Sequence, residues 1–159
     1  MKFLSHPIAG LSIGLALSIS VMASAVPPAP KLSPYFGRWT ISDANERFSA
    51  KGRPYKTIDI APCGKDFCGV SVGDKGQCGP VLFRFLTKNA FASMLQGHGK
   101  WGSGKKNIQI ENWENPEAPG GREMELYLGD GHDFGGRSES MPKFHGQYNR
   151  AGAVRCKAR

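Results

Sequence analysis

The chain has 159 residues, with 21 Lys and Arg against 13 Asp and Glu, a formal charge of +8 and 40% apolar residues. That length suits one domain of roughly 150 residues, and the apolar fraction excludes a disordered chain. The 4 Cys are too few for a disulfide-dense mini-protein, so a hydrophobic core has to carry most of the fold.

The chain opens with Met1, Lys2 and Phe3. An apolar run over residues 8–22 follows, broken only by Gly and Ser, and then Ala23, Ser24 and Ala25. A positive start, about fifteen apolar residues and a small-x-small site define a secretory signal peptide at 1–25. The run is shorter than the roughly 20 residues a spanning helix needs, and the cleavage site has no Cys to accept a lipid. Removing it takes one Lys from the +8 and leaves +7, with every Cys retained. Residues 26–34 contain Pro27, Pro28, Pro30 and Pro34 and read as an extended leader before a single domain at 35–159. The expectation is an exported protein, periplasmic or extracellular, with no transmembrane segment in the mature chain.

Strand signals then recur at short spacing. Apolar and polar residues alternate over 36–41, around Ile58 and Ile60, around Val70 and Val72, around Ile108 and Ile110, and around Met124, Leu126 and Leu128. Residues 81–86 are apolar enough for a buried strand, and residues 94–101 carry Gly97 and Gly99. Weaker late strands are expected near Phe134, Phe144, Tyr148 and Val154. Gly, Pro, Asn and Asp clusters at 74–76, 102–104, 116–121 and 129–131 punctuate these runs. Residues 42–50 and 88–94 hold at most a helical turn each. About eight short alternating strands predict an all-β fold, a small antiparallel up-and-down barrel or a sandwich with little helix.

The cysteines fit an oxidising compartment. Four allow three pairings. Cys63 and Cys68 bracket a loop between strand-like runs at 55–61 and 69–72, so a hairpin sets them opposite one another. Cys78 is then left with Cys156, a long loop worth about 4 kcal/mol in the chain-entropy account. Zinc is the rival reading, because His98, His132 and His145 are also present, but zinc-finger spacing is missing. Redox chemistry lacks a C-x-x-C.

The Gly37-Arg38-Trp39 triplet resembles the G-x-W signature that opens lipocalin-like barrels. Residues 60–69, IAPCGKDFCG, resemble a hairpin in small exported bacterial proteins of unknown function with such barrels. The resemblance implies that Gly37 and Trp39 close one end of a barrel, with Arg155 or Arg150 stacking over the Trp ring.

No catalytic constellation stands out. Gly102-Ser103-Gly104 is not a nucleophile elbow. Glu111, Glu114 and Glu117 read as solvated strand and loop charges rather than a glycosidase pair. The segment Asp130, Gly131, His132 and Asp133 suits a tight turn better than a metal site. More suggestive is the stretch 100–106, in which Lys100, Trp101, Lys105 and Lys106 surround a Gly-rich turn. An aromatic among lysines holds anionic polymers by charge and stacking. Outside the cytoplasm that partner is an envelope polymer, a lipid headgroup or an acidic protein rather than nucleic acid.

These readings converge on a non-catalytic exported barrel without cofactor or metal. It is expected to bind a small apolar ligand in the barrel mouth, or an envelope or protein partner on its loops. Candidate binding residues are His98, Lys100, Trp101, Lys105, Lys106, Trp113 and His132. The alternative is an inhibitor of a secreted protease or lysozyme, acting through the 26–34 leader or the 112–121 loop.

Overall fold

The structure is a computed structural model that describes residues 32–42, 50–131 and 142–158. Its strands are β1 (Gly37–Ile41), β2 (Thr57–Cys63), β3 (Asp66–Val72), β4 (Cys78–Leu86), β5 (Met94–Trp101), β6 (Gly104–Glu114), β7 (Arg122–Gly129) and β8 (Pro142–Gly152). Each strand pairs antiparallel with the next in sequence, and β8 returns to β1, so the sheet closes into an eight-stranded up-and-down barrel. Among the described residues helix is confined to 3-10 turns at Ala50–Tyr55, Thr87–Asn89 and Pro119–Gly121. Among the described residues no helix is long and apolar enough to cross a membrane. The signal peptide at 1–25, most of the leader, most of residues 42–50, and Phe134 lie outside the described residues.

The alternation read from sequence sorts the two faces of the wall. Ile58 and Ile60, Ile108 and Ile110, and Met124, Leu126 and Leu128 all point inward and are fully buried. An eight-stranded barrel is just wide enough for side chains to fill its interior. Aromatic rings do so here: Tyr55 packs on Phe144 at 5.4 Å and on Trp101 at 6.4 Å, and Phe67 on Phe85 at 5.7 Å. Glycines make the room. A Cβ on Gly69 would lie 2.2 Å from the Phe83 ring, and one on Gly97 would lie 2.8 Å from Phe85. Trp39 sits fully buried near one end and donates its indole N–H to the Tyr35 carbonyl at 2.7 Å.

Both expected disulfides are present, Cys63–Cys68 and Cys78–Cys156. The hairpin around the first is tighter than expected. Cys63 faces Asp66 and Cys68 faces Ala61 across a two-residue turn at Gly64 and Lys65. The two cysteines are therefore diagonal neighbours, with Cα atoms 5.8 Å apart, still within bridging range.

Val154, expected near a late strand, lies beyond β8 in a tail without strand pairing. The reason is Asp59 on the outer face of β2. Its carboxylate is fully buried and takes Arg38 Nε and Nη2 at 2.8 Å each, the Arg155 N–H at 2.9 Å and the Cys156 N–H at 2.6 Å. The tail thus exchanges ladder bonds for bonds to a carboxylate. Cys156 packs against Val70, Val72 and Val81, which buries the outside of β3 as well as its inside.

Candidate functional site

The barrel wall is uneven. β5 pairs with β6 from Met94 to Trp101, whereas β4 and β5 share the single pair Phe83 with Gly99. The core explains the close approach at that point. Gly99 has no side chain where Leu128, Tyr55 and Ile108 press in, at 2.7, 3.1 and 3.2 Å from a built Cβ. The Tyr55 hydroxyl, whose pKa burial pushes well up, donates to the Lys100 carbonyl at 2.6 Å and pins β5 just beyond the pair. Around this point the two strands leave a cleft of about 290 Å³, lined by Val81, Leu82, Phe83, Arg84, His98 and Lys100, with Gly99 and Lys105 completing it.

The turn that follows decides the electrostatics. Trp101 pairs with Gly104 across a two-residue turn at Gly102 and Ser103, and Gly102 takes φ +61°, a conformation that suits glycine. That register sets Lys100 directly opposite Lys105. Like charges facing across a ladder destabilise the pair. Neither ammonium forms an ion pair among the described residues. The Arg84 guanidinium, about half exposed, reaches Asp66 at 3.4 Å. His98 is exposed on the same wall. A basic rim therefore surrounds a floor of apolar side chains and main chain.

Of the residues selected from sequence, His98, Lys100 and Lys105 meet at this cleft, and the other described ones do not. Lys106 turns to Asp130, which also takes Lys143 at 3.3 Å. The bonds from these two ammonium groups, Lys106 foremost, hold the Asp130 carboxyl below its usual range despite some desolvation. Trp101 faces the core against Tyr55 and Phe144. Trp113 is on β6 and donates to Glu123 Oε2 at 3.1 Å. His132 lies outside the described residues. Glu111, Glu114 and Glu117 do not converge: Glu111 accepts from Gln109, Glu114 pairs with Arg122 at 2.9 Å, and Glu117 is exposed in a loop. Among the described residues no cluster of three or more His, Cys, Asp or Glu side chains is placed to hold a metal.

Arg150, rather than Arg155, brings a guanidinium to the Gly37 end. Its Nη2 donates to the Phe36 carbonyl at 2.8 Å, and its Nε would lie 3.0 Å from a Cβ on Gly37. Arg155 is exposed and contributes its main-chain N–H to Asp59.

Two wider depressions, of about 490 and 520 Å³, lie elsewhere on the described surface. One is an apolar groove around Leu32, Phe36 and Val154, whose cation is the hydrogen-bonded Arg150. The other sets Arg53 and Lys75 beside Asp74, which pairs with Lys56 at 3.7 Å. Sequence reasoning missed Arg84 and the apolar floor, because both depend on how β4 meets β5. No protein-family model, curated protein or solved structure matches the chain.

Proposed function

We propose that this protein is a non-catalytic, exported, lipocalin-like barrel that binds an anionic envelope or protein partner at the cleft between β4 and β5. The observation that carries this reading is the facing pair Lys100 and Lys105, two like charges without a carboxylate partner among the described residues beside an apolar floor. Such a pair opposes folding and is relieved when an anion binds. The rings that fill the barrel support surface binding over a ligand carried in the mouth. Export is supported by the segment at 1–25 and by two disulfides, which persist in oxidising compartments. The G-x-W triplet at 37–39 and the closed eight-stranded wall support the lipocalin-like assignment.

The test is a titration of the full chain with polygalacturonate and with poly-glutamate as anionic probes, at low and high salt. Binding by at least one probe is expected. Reversing Lys100→Glu and Lys105→Glu together lowers affinity about tenfold, and salt weakens the wild type. Binding indifferent to both changes would refute the reading.

Inhibition of a secreted hydrolase is a second reading, favoured by the 115–121 loop. That loop is held by its own bonds, Ala118 N–H to Asn115 O at 3.1 Å and Gly121 N–H to Ala118 O at 2.9 Å. It leaves Pro116 and Glu117 exposed at its tip. Replacing Pro116 and Glu117 with Ala separates the two: an inhibitor acting through this loop loses potency, and a cleft binder is unchanged.

A further inference from the structure

We infer that the occupant of the cleft is an extended acidic polypeptide segment, added as a strand to the free edge of β4. This rests on the anionic-partner reading and names the partner's chemistry. β4 runs from Cys78 to Leu86, but β5 meets it in the ladder only at Phe83. Just before that point Val81 and Leu82 border the cleft instead of pairing with β5.

Its sequence is that of an edge. Pro80 lies within β4 and is exposed, as is Gly79. Proline has no N–H for a ladder and is confined to edge strands and bulges. A bulge does occur here, where the register with β3 shifts between Val70 and Val72. Pro80 and the bulge blunt the edge at Gly79 and Pro80, which leaves Val81 and Leu82, beside the cleft, as the stretch where another chain can pair.

The surroundings select what pairs. An added strand places alternate side chains on the outer face. There it meets Arg84 on β4, His98 and Lys100 on β5, and Lys105 on β6. Of these, Arg84 already reaches the Asp66 carboxylate at 3.4 Å. Acidic side chains at alternate positions match this rim, and apolar ones between them match Val81, Leu82 and Phe83. A carboxylated sugar polymer matches the charge equally well. It has no repeating N–H and C=O at strand spacing, and so leaves the β4 edge unused. The Gly102 and Ser103 turn, both residues exposed, lies beyond the cleft without closing it.

The experiment uses the full chain and an octapeptide of alternating Glu and Val with blocked ends. Two N-methylated versions accompany it, one methylated at every Glu and one at every Val. N-methylation removes ladder donors without touching charge. Only one of the two alternating sets of N–H groups in a strand faces a given neighbour. The parent peptide is expected to bind, one methylated version to bind about tenfold more weakly, and the other to bind nearly as well as the parent. Amide NMR shifts are expected at Leu82, Arg84 and Lys100. The Lys100→Glu and Lys105→Glu double variant, with its fold checked by circular dichroism, loses about tenfold.

Equal binding by all three peptides overturns the inference, because charge alone then suffices. So does polygalacturonate that binds in a Lys-dependent way while the peptide does not, and that result leaves the anionic-partner reading standing. Failure of both probes overturns the two together.

Discussion

Asp59→Ala tests how the C-terminal tail is held. The carboxylate is fully buried, while the Arg38 side chain keeps 15% of its exposure. Truncation strands two main-chain N–H groups, those of Arg155 and Cys156. Each costs about 1–3 kcal/mol if it finds no water. Removing one member of a buried ion pair costs about 3–5 kcal/mol, the partial exposure of Arg38 puts it at the low end, and with the two N–H groups the total is about 5 kcal/mol. For a domain of this size that lowers Tm by roughly 15–25 °C. Calorimetry at neutral pH reads the shift, and trypsin cleavage after Arg155 and Lys157 reads release of the tail. The disulfide at Cys156 holds the same segment, so Asp59→Ala combined with reduction departs from additivity by more than about 0.5 kcal/mol. A Tm drop below about 3 °C, or a tail as protected as in the wild type, would refute this account.

Acid titration probes the same carboxylate. Burial pushes the Asp59 pKa up, but the bonds from Arg38, Cys156 and Arg155 outweigh it and the net shift is downward. Its stabilising contribution is then complete above the unfolded value near 4, and is lost as pH falls through the lower folded value. Urea midpoints should therefore fall more steeply in acid for the wild type than for Asp59→Asn. Gly120→Ala places a Cβ 2.2 Å from the Arg150 carbonyl at φ +76°, whereas Gly64→Ala meets open space at φ +70°. The first should cost at least about 2 kcal/mol and the second about 1 kcal/mol in chemical denaturation, and equal costs would argue against the packing of that loop on β8. Replacing Cys78 and Cys156 with Ala should remove about 4 kcal/mol, and an unchanged melting curve would show that the bridge constrains nothing. Tyr127 has its phenol pushed up to about 12 by desolvation and then by Glu125. Glu125→Gln should lower that value in an ultraviolet titration.

Much of the barrel was legible because one rule, a period of two, governs a wall with a filled inside and a wet outside. Ile108, Ile110, Met124, Leu126 and Leu128 announce their strands by alternation alone. β3 shows the alternation at Val70 and Val72, yet these point outward and are buried all the same, beneath a tail more than eighty residues away in sequence. Asp59 reads as an ordinary solvent-facing residue for the same reason. Its role depends on Cys156, and no local pattern connects the two.

The cleft divides along the same line. Once the turn at Gly102 and Ser103 is counted as two residues, the opposition of Lys100 and Lys105 follows from hairpin arithmetic within one short segment. Arg84 enters through the register between β4 and β5, across a connection with no hairpin of that kind to fix it. Pro80 was the local signal available for the missing half. A proline inside an apolar strand marks an edge or a bulge, and here the bulge against β3 lies next to the stretch that β5 leaves unpaired. Taken with two unopposed lysines on the next strands, it says that the wall is left open beside a facing pair of like charges. The register across the Gly102 and Ser103 turn sets this cleft apart from the two larger depressions, since it fixes two lysines face to face.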